Sequence, residues 1–89
     1  MKAGDRPRFG KGVRLHRDSD GSTMLLVPEG ALVLNGTAAA TLELVDGERT
    51  VAQIANALAE RFEVEPEQAH REVAELLQRL AGRRLVETA

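Results

Sequence analysis

Cysteine is absent from this chain of 89 residues. With it go disulfide staples, thiolate zinc sites, iron–sulfur ligation and thiol catalysis. A chain without thiols is compatible with a reducing cytoplasm, where it is expected to reside. Tryptophan and tyrosine are absent as well, and both aromatic residues are phenylalanine. The core must therefore be built from Leu, Val, Ile and Ala. No apolar run approaches the roughly 20 residues that span a bilayer. Met1–Gly12 has basic residues with no apolar stretch behind them, so no secretory signal is expected. A domain of this length buries only about 60–65% of the surface its unfolded chain exposes. Its core is thin, and a deep enclosed active site is hard to build in it.

Charge is present but unevenly spread. The net value is −2, yet residues 1–17 carry six basic side chains against Asp5 alone, a local charge of +5, and the remainder carries −7. Residues 1–10, with Gly4, Pro7 and Gly10 among charges, read as a flexible basic arm. Residues 11–89 read as one small domain. An acidic body opposes binding to phosphate backbones.

Periodicity divides the body into a strand half and a helix half. Val13-Arg14-Leu15-His16-Arg17 alternates apolar and polar. Asp18–Ser22 is a turn, with Asp20-Gly21 suited to a hairpin. Thr23–Val27 is a second strand, whose apolar run predicts cover on both faces. After Pro28-Glu29-Gly30, residues Ala31–Leu34 form a third short strand closed by Asn35-Gly36. A short helix over Ala38–Val45 follows, with Thr37 as its N-cap and Gly47 as a left-handed stop. Thr50 and Gln53 have capping-box spacing. Val51, Ile54, Ala55, Leu58 and Phe62 then make one apolar stripe. Pro66 suits a first helical turn, and Ala69, Val73, Leu76, Leu77 and Leu80 line the third helix up to Gly82. Leu85-Val86 is a last extended piece. Strands followed by helices argue α+β, with a three-stranded antiparallel sheet covered on one face.

Three chemical motifs fail on spacing. Setting Gly21 at the sixth position of a calcium loop puts His16 first and Val27 twelfth, where carboxylates are required. Asp18-Ser19 matches the carrier serine of acyl carrier proteins, but strand pattern flanks it where a helix should begin. His16 and His70 are far apart and have no Cys partner. Glu72 and Glu75 lie on the outside of a helix, where carboxylates are usually solvated. No metal, cofactor or catalytic residue is expected, and an enzyme is the poorer reading.

The residues nevertheless resemble a known family. Gly12-Val13-Arg14-Leu15, Leu25-Leu26 with Pro28-Glu29, and Leu34-Asn35 resemble the strand half of PqqD proteins. Asp46-Gly47-Glu48-Arg49-Thr50-Val51 with Ile54 and Leu58 resembles that family's most recognisable stretch. Glu72-Val73, Leu76-Leu77 and Leu80 resemble its third helix. The match runs from about Pro7 to Val86. It departs at Met24, where an aromatic residue is common, and at Gly30, where a basic one is. The aromatic or Cys near the end of the first helix is also missing. The resemblance implies a winged-helix-like domain that binds the precursor peptide PqqA. It also implies that this domain presents the peptide to the radical S-adenosylmethionine enzyme PqqE in pyrroloquinoline quinone biosynthesis. The iron–sulfur clusters then belong to that partner.

On this resemblance the peptide lies beside the third strand, Ala31, Leu32, Val33 and Leu34, in a groove walled by Ala69, Val73 and Leu77. Strand addition uses backbone hydrogen bonds for affinity and side-chain pockets for choice. An open edge also permits strand exchange between two copies, and so a homodimer. The competing class is a DNA-binding winged helix, which requires a basic recognition helix. The third helix carries Glu67, Glu72 and Glu75 against Arg71 and Arg79, which favours a peptide.

Overall fold

The computed structural model describes residues 1–89. In chain order its elements are β1 (Pro7–Phe9), β2 (Arg14–Arg17), β3 (Thr23–Val27), β4 (Gly30–Leu34), α1 (Gly36–Glu43), α2 (Val51–Phe62), α3 (Pro66–Gly82) and β5 (Val86–Thr88). β2, β3 and β4 form an antiparallel sheet in that order, with Leu15 opposite Leu25 and Leu25 opposite Leu32. Successive side chains point to opposite faces. Leu25, fully buried, thus shares one face with Leu15, Val27, Leu32 and Leu34, and this face packs on the helices. A mixed α/β body with three helices and a three-stranded antiparallel sheet is the arrangement the residue pattern predicts.

The helices close the core with one stripe each. Val51, Ile54, Ala55, Leu58 and Ala59 of α2 are buried, as are Ala69, Val73, Leu77 and Leu80 of α3. Pro66 occupies the first turn of α3, where its missing N–H is no loss, with Glu67 in that turn and Arg79 in the last. α1 starts earlier than its sequence suggests. Asn35, not Thr37, is the N-cap, its side-chain oxygen accepting from the Ala38 N–H at 2.8 Å. Thr37 lies inside the helix, and its carbonyl accepts from the Thr41 hydroxyl at 2.9 Å. α1 also ends at Glu43, so Gly47 is not its stop. Gly47 sits in the turn ahead of α2 at φ +80°, and its N–H donates to the Pro7 carbonyl at 2.9 Å.

The flexible arm expected over residues 1–10 is instead docked on the body. β1 pairs antiparallel with β5, Phe9 opposite Val86 and Pro7 opposite Thr88, as a separate two-stranded ribbon. Pro7 and Val86 are buried. Upstream of β1, the Ala3 carbonyl accepts from the Ala52 N–H at 3.0 Å and the Asp5 carbonyl from the Val51 N–H at 2.9 Å. These donors open α2 and have no partner within the helix. Thr50 takes the Gln53 N–H at 3.1 Å, and Gln53 returns a bond to the Thr50 N–H at 2.9 Å, completing the capping box. The charged side chains of the arm stay at the surface while its main chain docks, which composition cannot reveal. Gly10 lies against the α3–β5 connection, its N–H donating to the Leu85 carbonyl at 2.9 Å. A Cβ at Gly10 would stand 2.5 Å from the Arg84 carbonyl oxygen.

Asp46 fixes the turn that leads into α2. Its carboxylate accepts from the Arg49 N–H at 2.8 Å and the Glu48 N–H at 2.9 Å, and meets the Arg49 guanidinium at 2.9 Å. The Arg49 amide, then the Glu48 amide, hold the Asp46 carboxyl below its ordinary 3.8. A depressed folded-state value gives stability that is full above the unfolded value and is lost as pH falls through the folded one. Asp46→Asn should therefore flatten the acid limb of a stability–pH profile below 3.8, measured by urea melts. Thr50→Ala should remove about 1 kcal/mol at neutral pH by the same measurement.

Candidate functional site

β4 is an edge strand: it pairs with β3 and with nothing on its other side. Alternate residues of an antiparallel edge aim N–H and C=O groups outward, available to another chain. β4 runs into Asn35 and the start of α1. There an open cavity of about 500 Å³ lies between α1, the end of α2 and one side of α3. Leu58, Phe62, Val64, Ala69, Val73 and Leu76 supply its apolar lining. Asn35 and Thr37 stand at the β4 side, and Gln68, Glu72, Glu75 and Arg79 form a charged rim along α3.

The expected site residues divide into three groups. Ala31 and Val33 are exposed, and Leu32 and Leu34 are half-buried with their side chains turned toward the core. What β4 offers a ligand is therefore its backbone edge more than its leucines. Ala69 and Val73, each 3% exposed, reach the cavity as its floor. Leu77 does not. It is fully buried in the core and absent from the cavity lining. The buried stripe 69, 73, 77, 80 joins the core beside α2, with Ala69 and Val73 also reaching the cavity, while Leu76, one position round the helix, faces the opening.

Phe62 is the residue that the stripe on α2 conceals. It is 42% exposed although it continues the Leu58 row. It lines the cavity together with Val64 of the turn and Gln68 and Ala69 at the start of α3. The chain turns sharply right after it, with Glu63 in the left-handed region at φ 53°. The Arg61 guanidinium lies 5.3 Å from the Phe62 ring centre and reaches Glu43 at 4.0 Å, and Glu43 also pairs with Arg17. An exposed aromatic ring beside an apolar cavity is the sort of surface that binding interfaces favour. The signal available in the sequence was position: an aromatic as the last residue of its helix.

Neither histidine is near a nucleophile. His16 Nε2 is 3.0 Å from Asp18 Oδ1, and His70 Nε2 is 3.2 Å from Asn56 Oδ1, both at the surface. No group of three or more His, Asp or Glu side chains is placed to hold a metal ion. No helix is long and apolar enough to cross a membrane.

Residues 22–86 match the family model for coenzyme PQQ synthesis protein D (PqqD). The chain is 38% identical over 81 residues to the PqqA binding protein of Rhizobium meliloti, a stretch covering 90% of this chain and 83% of that one. The chain belongs to the PqqD family. Within it, 38% identity extends over 84 residues of the bifunctional coenzyme PQQ synthesis protein C/D of Methylorubrum extorquens. That alignment covers 93% of this chain but 23% of the larger protein. The fold is similar to the solution structure of the PqqD truncation of Methylobacterium extorquens PqqCD, which is described as a functional, stand-alone RiPP recognition element. The TM-score is 0.82 at 36% identity, covering 98% of this chain and 94% of that one. It is also similar to lasso peptide synthetase B1 complexed with its leader peptide, with a TM-score of 0.78 at 25% identity over 92% and 98% of the two chains.

The division of α3 between core and cavity has a direct test. Leu77→Ala should lower the unfolding free energy by about 2–5 kcal/mol, as a buried Leu truncation does. Leu76→Ala should change it much less. Equal losses in urea melts would place Leu76 in the core as well.

Proposed function

We propose that this PqqD-family chain binds the precursor peptide PqqA by strand addition to β4 and presents it to the radical S-adenosylmethionine enzyme PqqE. The observation that carries this reading is the unpaired β4 edge running directly into an apolar cavity with an exposed Phe62. A peptide extending the sheet gains main-chain hydrogen bonds, and side chains beyond the strand drop into the cavity. Ala31–Leu34 supply the edge, Ala69 and Val73 the floor, and Phe62 and Leu76 the anchoring wall. Relatives named as PqqA binding proteins and a recognition element of the same fold support it.

On this reading the body is a winged-helix-like domain of the cytoplasm that does no chemistry of its own. It raises the local concentration of the peptide at the enzyme. The reactive groups and their cofactors are the enzyme's. The DNA-binding alternative has no support in the relatives, and α3 carries Glu67, Glu72 and Glu75 on exposed positions. Exchange of β4 between two copies would use the same edge, so a homodimer and the peptide complex compete.

Backbone amide shifts on adding PqqA should cluster at Ala31–Leu34 and along Gln68–Leu76. Clustering at the buried face of Val51–Leu58 would move the site elsewhere. Phe62→Ala should weaken the peptide about tenfold in calorimetry, the scale of a single interface anchor, and leave the urea midpoint nearly unchanged. Unaltered affinity would remove Phe62 from the site.

A further inference from the structure

An antiparallel sheet covered on one side normally shows polar side chains on the other. The β2-β3-β4 sheet breaks this rule. Leu25 and Leu32 point inward, so Met24 and Leu26 of β3 and Ala31 and Val33 of β4 point outward. Every outward position of these two strands between Met24 and Val33 is apolar. Val33 is 78% exposed, Ala31 is exposed, and Met24 and Leu26 are half-exposed. The apolar run of β3 predicts cover on both faces, and the helices cover only the inner one. β2 adds Arg14 and His16 to the outer face. Arg14 is exposed and has no carboxylate within ion-pair distance, while His16 meets Asp18 at 3.0 Å. No carboxylate is carried at an outward position of the three strands.

We propose that this outer face docks an apolar patch with an acidic rim on the enzyme that modifies the peptide. The inference rests on the presenter reading above and adds the surface that reading lacks. Area and charge select the occupant. Three strands about 4.8 Å apart, rising about 3.4 Å per residue, give a face of roughly 250 Å². A stable interface needs about 800 Å² from each partner. Two copies laid face to face bury little more than the face itself, and each sets its Arg14 against strands that carry no carboxylate, with Asp18 beyond β2 already paired with His16. A larger partner curves past the rim, supplies the missing acids, and still forms a contact small enough to release. The placement also suits presentation. A peptide strand beside β4 extends the same sheet by about 4.8 Å, so a protein seated on the outer face borders the peptide. The cavity between α1 and α3 stays open on the far side.

The test separates this surface from the groove. The double variant Met24→Lys/Leu26→Lys alters the central strand, one strand removed from the peptide edge, and Arg14→Glu alters the rim. Binding of each full-length variant to PqqA is measured by calorimetry, and to PqqE, with and without PqqA, by surface plasmon resonance at low and high salt. The double variant should keep its PqqA affinity within about twofold and lose at least about tenfold in PqqE affinity. Arg14→Glu should slow association with PqqE at low salt and not at high salt. Unchanged PqqE binding by the double variant overturns the proposal. So does joint loss of PqqA and PqqE binding, which would make the face part of the fold or the groove. Micromolar self-association of the unaltered chain, abolished by the double variant, would give the face to a second copy and overturn it too. Failure of the unaltered chain to bind PqqE at all would instead fell the presenter reading itself.

Discussion

The N-terminal end of α2 is the point on which the structure hangs. A helix start leaves backbone donors without partners, and burying them unpaired is expensive. Here three segments meet to satisfy them. Thr50 and Gln53 close the capping box, Asp46 orders the turn before it, and the carbonyls of Ala3 and Asp5 take the first two helical N–H groups. The same turn holds β1 through the bond from Gly47 to Pro7, and β1 holds β5. One polar knot thus ties the beginning of the chain, its middle and its end. A core without Trp, Tyr or Cys has few large side chains with which to achieve such closure by packing alone.

That economy shapes the site. α2 and α3 bury one stripe each in the core, and Leu76, one step off its stripe, and Phe62, at the exposed end of its own, are left at the opening. On α3, Leu77 in the core and Leu76 at the cavity are immediate neighbours in sequence. The connections contribute as well, Val64 from the α2–α3 turn and Asn35 ahead of α1. The sheet likewise serves twice, with an inner face for the fold and an edge left free.

Much of this was legible in the residues. β3, β4, the capping box of α2, the Pro66 start of α3 and the free edge strand all follow from local pattern. What pattern missed was tertiary and main-chain in origin. The arm looks disordered because its side chains are charged and its spacing irregular, but it docks through carbonyl oxygens that every residue possesses. The β1–β5 ribbon joins segments almost the whole chain apart and has no local signature. Leu77 and Leu76 are indistinguishable by residue type, and only the rotation of α3 against its neighbours assigns one to the core and the other to the cavity. The Asp46–Val51 stretch was recognisable as a family feature, and the structure supplies its physical reason as the joint of the knot.

Pairing of β1 with β5 sets Pro7 directly opposite Thr88. The β1–β5 ribbon therefore has the outer ends of both strands side by side, the Ala89 N–H donating to the Arg6 carbonyl at 2.7 Å, while the chain ahead of Arg6 runs along the start of α2 and brings the Met1 amine to Gln78 of α3. Pulled by its ends, the same ribbon would open like a zipper, one hydrogen bond at a time, because an antiparallel pair loaded at adjacent ends peels instead of shearing.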